Sequence, residues 1–264
     1  MPVPSEASPF AGAARYYDRF RAPYPPAAIN FIVAACDLAG DARALDLGCG
    51  PGTIAIPLSR AVTEVVAVDP EAAMIAEGRR LAASGRRRNI RWLQSRAEDV
   101  AADAGPFRLA TIGQAFHWMD RDAVLRKLGA PIADGGVLAL VNPGARRPQE
   151  SWEPIAERIV ARLLGPRTRH PGSNPREPKH DPALLRSERF SRFEIREFPG
   201  ALTRDVASII GCVYSMSYSP RSAFGGAAEA FEAELTRALL DLNPAGIFHE
   251  RLETEVLLAP KRAR

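Results

Sequence analysis

The chain has 264 residues, 46% of them hydrophobic and 25% charged, so it lies in the range of ordinary globular proteins and can bury one large core. Its 35 basic and 31 acidic residues leave a net charge of only +4, which does not imply a nucleic-acid partner. Three cysteines, far apart and odd in number, exclude a disulfide framework and a Cys-x-x-Cys metal site.

The first residues show no basic stretch followed by an apolar one, and no segment approaches the roughly 20 apolar residues that span a bilayer. We therefore predict a cytoplasmic protein, a monomer or homodimer, that is neither exported nor inserted into a membrane. Arginines cluster at residues 86–88, 146–147 and 167–169. Such clusters resemble a phosphate-binding surface, but solvated loops look the same and are the favoured interpretation.

The N-terminal region, residues 1–40, is predicted to be a helical lid or arm. Residues 16–26 are aromatic and basic and are interrupted by prolines, which suits either a lid over a site or an arm packed on the core. An apolar stripe made by Phe31, Ile32, Ala35 and Leu38 then indicates a helix that stops at Ala39 and Gly40.

Between residues 42 and 142, short apolar runs alternate with longer segments of helical spacing. The predicted strands are Ala44–Leu47, Val65–Val68, Arg91–Leu93, Leu109–Ile112 and Val137–Val141, and the predicted helices are Thr53–Ala61, Pro70–Ser84 and Asp120–Ala133. Such alternation produces a parallel sheet, and right-handed crossovers place helices on both of its faces. The predicted fold class is therefore α/β, with a doubly wound, mostly parallel sheet.

The regular alternation stops after Asn142. Residues 143–189 are rich in proline, glycine and arginine, carry one amphipathic stretch, Trp152–Leu164, and are predicted to form a helical cap inserted after the fifth strand. Later strand-like segments are Phe193–Phe198 and Thr254–Ala259, and later helix-like segments are Asp205–Tyr214 and Ala227–Leu240. The late strands would complete a seven-stranded sheet with an antiparallel edge strand, so residues 41–142 and 190–264 are predicted to form the core.

The clearest chemical signal is Asp46–Gly52, where a strand runs into a glycine-rich turn that opens a helix. Glycines in such a turn let the backbone approach a nucleotide-type cofactor. Pro57 requires the helix to start near Thr53, because proline is tolerated in a first helical turn but breaks a helix interior. The turn is therefore tight.

The glycine spacing and the neighbouring acids select among cofactors. The pattern Gly48, Gly50, Gly52 differs from the G-x-G-x-x-G of dinucleotide-binding proteins, and Asp46 precedes it. A carboxylate there would repel a pyrophosphate but favour the ammonium and sulfonium of S-adenosyl-L-methionine (SAM). Asp69 ends the second strand about 20 residues past the first glycine, the spacing of a ribose-binding acid. Its alternative role is to cap the helix that follows.

Two further segments complete the predicted site. Gln94–Val100, after the third strand, offers acceptors for an adenine amino group. Gln114–Trp118 follows the fourth strand and brings polar and aromatic groups to the carboxyl end of the sheet, where doubly wound folds bind ligands. This second segment is the candidate for the acceptor side.

In their order and spacing, these elements resemble the class I (seven-stranded, Rossmann-like) family of SAM-dependent methyltransferases, over roughly residues 16–142, and within it a subgroup that methylates small molecules, among them carboxylic acids. The resemblance implies that the acid and glycine loop contact the methionine half of SAM, that the second acid holds the ribose, and that the segment after the third strand lies beside adenine. The expected cofactor-binding residues are Asp46, Gly48, Cys49, Gly50, Asp69, Pro70, Met74, Ala97, Glu98, Gln114, Tyr17 and Arg21.

Methyl transfer needs the acceptor and the methyl group held in line, about 3 Å apart. A carboxylate acceptor is already ionised and needs only donors, which Gln114 and Trp118 could supply, whereas a phenol needs a base, for which His117 is the candidate. We expect a carboxylate or phenolic oxygen rather than an amine or carbon as acceptor. His117 could instead be a helix-entry residue and Trp118 a packing residue. The other histidines show no metal-ligand spacing, so no metal is expected.

Two alternatives stay open at the level of function. A nucleic-acid methyltransferase could use the arginine clusters, but the Asn/Asp-Pro-Pro-aromatic motif typical of exocyclic amine methylation is replaced by Gly113–Phe116. A noncatalytic SAM-binding protein is also possible in principle, because fold does not dictate activity.

Overall fold

The computed structural model describes residues 12–38, 41–143, 152–165, 182–190 and 193–262, which form two compact units. The sheet unit contains residues 24–38, 41–143, 182–190, 193–199 and 253–262, and the helical unit contains residues 12–23, 152–165 and 200–252. These units divide the chain at other residues than the predicted domains, since 24–38 joins the sheet unit and 200–252 the helical unit. The helix predicted to stop at Ala39 and Gly40 ends earlier, at Ala35, because Cys36 and Asp37 already form a turn; Ala39 and Gly40 themselves lie outside the described residues.

Seven strands form one sheet in the order β3-β2-β1-β4-β5-β7-β6. Their bounds are β1 Arg43–Leu47, β2 Glu64–Asp69, β3 Ile90–Gln94, β4 Phe107–Gly113, β5 Ile132–Pro143, β6 Glu194–Asp205 and β7 Ile247–Pro260. The pairs β1 with β2, β1 with β4, β2 with β3 and β4 with β5 are parallel, whereas β7 runs antiparallel to β5. The carboxyl ends of these parallel strands therefore all lie at the same end of the sheet.

The helices are α1 Ala14–Phe20, α2 Pro26–Ala35, α3 Ala55–Leu58, α4 Ala72–Ser84, α5 Arg121–Leu128, α6 Glu153–Leu164, α7 Pro182–Arg186, α8 Val206–Tyr214, α9 Arg221–Phe224 and α10 Ala228–Leu242. Short 3-10 helices occur at Ala97–Asp99, Ala102–Ala104, Phe116–Trp118 and Gly225–Ala227. Among the described residues, none of these helices combines the length and the hydropathy that a bilayer crossing requires.

Alternation along the central strands divides the core of the sheet unit into two clusters. In β1, Ala44 belongs to one buried cluster, and Leu45 and Leu47 belong to the other, because successive side chains of a strand point to opposite faces. Both faces are therefore covered, which is why the strands read as continuous apolar runs. The helical unit has its own cluster, in which Trp152 and Phe231 are buried.

The predicted fold class is confirmed: the sheet has seven strands, is mostly parallel and contains an antiparallel strand. The antiparallel strand β7 lies one position inside the edge, which is formed by β6. Both late strands are longer than predicted, because the alternating polar residues at their ends gave no continuous apolar run.

Three predicted helices have different bounds in the structure. The helix predicted at Thr53–Ala61 is reduced to α3, because the residues before Ala55 stay in the turn of the glycine loop. Pro57 nevertheless lies in the first turn, as expected. The helix predicted from Pro70 starts two residues later, at Ala72, and the one predicted to reach Ala133 ends at Leu128. Pro131 disfavours helical conformation in the residue before it, and β5 begins directly after it.

Candidate functional site

The glycine-rich turn connects β1 to α3 and adopts a conformation that needs glycine. The φ angles are 63° at Gly48, 53° at Gly50 and 89° at Gly52, all in the left-handed region. The Cys49 amide donates a 3.0 Å hydrogen bond to the Val68 carbonyl, which ties the loop to the end of β2. The loop therefore lies at the carboxyl ends of two adjacent parallel strands.

Two of these glycines face different surroundings. A Cβ at Gly48 would lie 2.4 Å from the Ala115 Cβ, so the segment after β4 packs directly on the loop. A Cβ at Gly50 would meet no atom of the described residues within 4 Å. The loop is thus closed by protein at Gly48 and open to a ligand at Gly50.

Asp46 is a carboxylate near the end of β1 and is only 1% exposed. Its Oδ1 accepts a 2.7 Å hydrogen bond from Thr111 Oγ1, whereas its Oδ2 is buried with no hydrogen-bond partner in the described part of the chain. Burial raises the pKa of Asp46 to about 7; the Thr111 hydroxyl and the Ala55 amide lower it, and the charge of Asp69 raises it further. An unpartnered buried oxygen of this kind is suited to a cation or a hydrogen-bond donor.

Asp69 ends β2 and is 8% exposed. Its Oδ2 accepts a 2.9 Å hydrogen bond from the Gly50 amide, and its Oδ1 accepts one of 2.9 Å from the Glu71 amide. Burial raises the pKa of Asp69, while the two amides act to lower it. The bond from Glu71 is the capping contact considered as an alternative role. The two hydrogen bonds together leave each oxygen of Asp69 able to accept one more, because a carboxylate offers about four acceptor positions.

Three further predicted cofactor residues flank these acids in the chain. Cys49 is buried, its thiol donates to the Gly50 carbonyl over 3.4 Å, and burial raises its pKa well above the ordinary value, so the thiol is neutral. Met74 is buried in the first turn of α4. Pro70 is exposed and lies outside that helix.

The segment predicted to lie beside adenine is the 3-10 helix Ala97–Asp99, directly after β3. Ala97 is buried, and the Glu98 carboxylate is engaged by protein donors: the Asp120 amide at 2.8 Å and Arg96 Nε at 3.3 Å. Burial acts to raise the pKa of Glu98, but these hydrogen bonds outweigh it and the pKa is lowered. The carboxylate thus supports the start of α5.

All three predicted catalytic residues lie on the segment after β4. Gln114 has a φ of 52°, which is unusual for a residue with a side chain, and its backbone N–H donates a 3.0 Å hydrogen bond to the Val141 carbonyl. His117 and Trp118 share a 3-10 helix, are partly exposed, and have ring centroids 5.2 Å apart. A strained backbone conformation such as that of Gln114 is found most often at functional sites. The segment meets the glycine loop through Ala115.

Tyr17 and Arg21 belong to the helical unit. Tyr17 lies in α1, and Arg21 follows the helix with its guanidinium 5.1 Å from the Tyr17 ring centroid. Arg21 Nη2 also donates to the Ser215 carbonyl over 3.2 Å. The structure brings these two residues together, and their contact with a cofactor stays a prediction.

Two residues of this site were missed by sequence reasoning. Thr111 holds the Asp46 carboxylate, and its signal was a hydroxyl residue inside the apolar run of β4. Tyr24 precedes α2 in the chain and packs beside the end of β4, where its hydroxyl is 2.8 Å from the position of a Cβ at Gly113. Nothing in the spacing of Tyr24 indicates that neighbour.

Within the described ranges, no group of three or more His, Cys, Asp or Glu side chains is arranged to hold a metal ion.

Comparison with protein families finds one match in the sheet unit. Residues 44–136 match the family described as Methyltransferase domain. The matched range runs from β1 into β5. It therefore contains the glycine loop, both acids and the strained segment after β4.

Curated relatives match part of the chain. An uncharacterized methyltransferase of Mycobacterium tuberculosis (strain ATCC 25618 / H37Rv) is 31% identical over 132 residues, which are 50% of this chain and 51% of the relative. A ubiquinone biosynthesis O-methyltransferase of Xanthomonas oryzae pv. oryzae (strain PXO99A) is 30% identical over 149 residues, 55% of this chain and 61% of the relative. The chain thus spans about half of the length of the first of these relatives and somewhat more of the second.

Solved structures match most of the chain at low sequence identity. A proposed type II methyltransferase from Anaeromyxobacter dehalogenans has a TM-score of 0.63 and 23% identity, covering 90% of this chain and 97% of its own. A SAM-dependent methyltransferase from Thiobacillus denitrificans, in complex with S-adenosyl-L-homocysteine, has a TM-score of 0.53 and 14% identity, covering 99% and 100%. At these identities the likeness establishes the fold.

Proposed function

We propose that this protein, whose residues 44–136 belong to the Methyltransferase domain family and whose fold is the class I, Rossmann-like methyltransferase fold, is a SAM-dependent methyltransferase acting on a small molecule. The observation that carries the proposal is the pair of buried acids, Asp46 and Asp69, beside a glycine loop that is open at Gly50. When bound, SAM supplies a methyl group on a positively charged sulfur, and the sulfur is the leaving group when the acceptor attacks the methyl carbon in line.

Asp46 is the residue that best fits the methionine half of the cofactor. Its Oδ2 is buried without a partner in the described part of the chain, and an ammonium would satisfy both its hydrogen bonding and its charge. A pyrophosphate would face this carboxylate with like charge, which disfavours a dinucleotide. Thr111 already donates to Oδ1, so Oδ2 is the oxygen on which both acceptor positions are left for the ligand.

Asp69 is proposed to hold the ribose. The Gly50 and Glu71 amides orient its two oxygens, and each oxygen retains a position that can accept a hydrogen bond from a hydroxyl. The same Gly50 amide therefore links the ribose-binding acid to the loop. The neighbour from Thiobacillus denitrificans, which was solved with S-adenosyl-L-homocysteine, supports the choice of cofactor.

The acceptor is proposed to be a carboxylate or phenolic oxygen. Gln114 and Trp118 can donate hydrogen bonds from an amide and an indole, which is all that an ionised carboxylate requires. His117 is proposed as the base for a phenol, since an imidazole can take a proton near neutral pH. The name of the Xanthomonas oryzae relative, an O-methyltransferase of ubiquinone biosynthesis, favours oxygen over nitrogen or carbon.

Calorimetric titration with S-adenosyl-L-homocysteine tests the cofactor assignment. We expect saturable binding that Asp69→Ala weakens by at least about tenfold, since an acid bound to ribose contributes charge-assisted hydrogen bonds. The exposed Asp103 provides the matched control, so Asp103→Ala should bind as the wild type does. Circular dichroism of each variant establishes that it is folded. Absence of binding, or equal binding by both variants, contradicts the proposal.

The acceptor class is tested separately, by measuring S-adenosyl-L-homocysteine production with a panel of carboxylic acids, phenols and amines. With a phenol, His117→Ala should abolish the acidic limb of the pH-rate profile near pH 6 to 7, roughly the pKa range of histidine. With a carboxylate, the variant should keep that profile. Turnover confined to amines would contradict the oxygen acceptor, and tight binding without turnover would indicate a noncatalytic protein.

A further inference from the structure

A groove on the sheet unit carries an unusual concentration of positive charge. Its volume is about 600 Å³, and its lining contains five arginines and no acidic residue. The arginines are Arg79, Arg86, Arg87, Arg88 and Arg91, and the rest of the lining is Ala82, Ala83, Ile90 and Trp92. We call this feature the arginine groove.

The arginine groove is formed where α4 ends and β3 begins. Gly85 follows the last residue of α4, and the next three residues are the consecutive arginines. Arg79 Nη2 donates a 3.2 Å hydrogen bond to the Trp92 carbonyl, which fixes one arginine against the strand. The consecutive arginines precede the amino end of β3, whereas the glycine loop follows the carboxyl end of β1. Because these strands are parallel, the consecutive arginines lie toward the end of the sheet opposite the glycine loop, whereas the Trp92 ring of the lining packs against the loop, 2.6 Å from the position of a Cβ at Gly52.

The charge of the arginine groove is barely compensated by the protein. Arg91 Nε lies 3.3 Å from Glu64 Oε1, and the same Glu64 also pairs with Arg43 at 2.6 Å. Within the described residues, the three consecutive arginines have no ion-pair partner. Cations beyond a helix C-terminus interact favourably with its dipole, which suits one or two of them, but the effect fades within a turn and does not explain five around one groove.

We propose that the arginine groove is a second ligand site, which binds a small anion with a chain of two or three phosphates. Guanidinium groups bind phosphate oxygens through paired hydrogen bonds, so several arginines match several phosphates. The volume is that of a small-molecule site. A nucleic-acid helix would need basic charge spread over a much longer surface, which the net charge of +4 does not favour.

Titration of the full chain with tripolyphosphate, at an ionic strength of about 0.15 M, tests this site. We expect saturable binding that the double variant R87Q/R88Q weakens by about tenfold or more, because charge-assisted hydrogen bonds are lost. The matched control R126Q/R237Q removes the same charge from two exposed arginines elsewhere, and it should change the Kd by less than about twofold. Thermal midpoints establish that the variants fold, and the exposed single variant Arg88→Gln replaces the double variant if that one unfolds.

Pyrophosphate, ATP and an RNA hairpin are titrated beside tripolyphosphate to identify the source of the phosphates. Binding of ATP in preference to tripolyphosphate assigns the site to nucleotides, and the reverse assigns it to inorganic chains; both support the proposal. Lack of saturable binding of any phosphate ligand overturns it, as does an equal loss in the two double variants. RNA that binds more tightly than tripolyphosphate, and loses affinity in R87Q/R88Q, also overturns it in favour of a nucleic-acid surface.

Discussion

At the scale of single residues, Asp46 combines a proposed ligand role with a cost in stability. A carboxylate with a pKa of about 7 in the folded chain binds its proton more tightly there than in the unfolded chain, where the pKa is near 3.8. The free energy that Asp46 costs on folding is therefore smallest at low pH, where the carboxyl is protonated in both states. The penalty grows as the pH rises from about 4 to about 7 and is constant above that range.

Asp46→Asn should make the protein more stable at pH 8 and leave its stability unchanged near pH 4. At about 1.4 kcal/mol per pKa unit, the raised pKa of Asp46 corresponds to a gain of roughly 4 kcal/mol at pH 8. The asparagine oxygen can still accept the hydrogen bond from Thr111. Urea denaturation at several pH values between 4 and 9 measures the effect.

The control for this experiment is Asp103→Asn, which changes an exposed aspartate. It should show no comparable rise with pH. A stability difference for Asp46→Asn that does not vary with pH would rule out burial of charge as its cause. The same variant should bind S-adenosyl-L-homocysteine more weakly, because the amide has no charge to offer an ammonium.

Gln114 is the second residue whose conformation and proposed role oppose each other. A left-handed conformation costs a residue with a side chain about 1–2 kcal/mol, and glycine escapes that cost but loses about 0.5–1 kcal/mol in backbone entropy. Gln114→Gly should thus be as stable as the wild type, or slightly more so, while methyl transfer falls by about tenfold or more. Gln114→Asn keeps a side-chain amide, and asparagine tolerates this conformation, so methyl transfer should fall less in this variant than in Gln114→Gly. Equal turnover by all three proteins would remove Gln114 from the site.

At the scale of elements, the glycine loop allows backbone strain to be separated from a steric clash. Gly48→Ala and Gly50→Ala both place a side chain at positive φ, at about 1–2 kcal/mol. Gly48→Ala should cost about 1–3 kcal/mol more, because its Cβ would lie 2.4 Å from that of Ala115. Denaturation of the two variants measures the difference.

Cofactor binding should show a different pattern from stability. Gly50→Ala should fold and lose affinity for S-adenosyl-L-homocysteine, because its new methyl group enters the volume open to a ligand. If Gly50→Ala binds normally, the open side of the loop does not face the cofactor. If both variants are equally stable, the contact with Ala115 is not close.

The elements that were predicted best are those with local apolar signals. β1, β2 and β4 were located within one or two residues, because buried parallel strands are continuous apolar runs. The starts of α3 and α4 were wrong by two residues, because the loop and Asp69 hold the residues before those helices in turns, whereas the end of α4 at Ser84 was predicted correctly. β6 and β7 were underestimated, since their polar ends lack that signal.

At the scale of the whole molecule, the core of the helical unit contains a buried ion pair. Glu250 Oε1 accepts hydrogen bonds from Arg204 Nε at 2.8 Å and Trp152 Nε1 at 2.6 Å. The two charged side chains are only 2% and 6% exposed. Arg204 Nη1 also donates to the Phe20 carbonyl, so the pair connects several segments of the unit.

Glu250→Ala should destabilise the protein by about 3–5 kcal/mol, because it leaves the Arg204 charge buried and unpaired. The double variant Arg204→Met with Glu250→Leu removes both charges at similar volume and should recover most of that loss. Chemical denaturation of the two variants measures both values. A double variant less stable than Glu250→Ala would mean that the pair itself, rather than the orphaned charge, supplies the stability.

The succession of strands and helices along the chain, the sheet class and the position of the glycine loop with its two acids could all be predicted from the sequence alone. These properties follow from local periodicity and from residues that are close together in the chain. The resemblance to methyltransferases rested on the same local signals.

The hydrogen-bond partners of the side chains in the site could not be predicted in this way and are known from the folded structure. Asp46 Oδ1 is bonded to Thr111 and its Oδ2 is unpartnered in the described chain, whereas Glu98 is committed to the start of α5. The arginine groove likewise appears only when α4 and β3 pack side by side. Each of these facts depends on contacts between residues that are distant in the chain, and such contacts leave no mark in local periodicity.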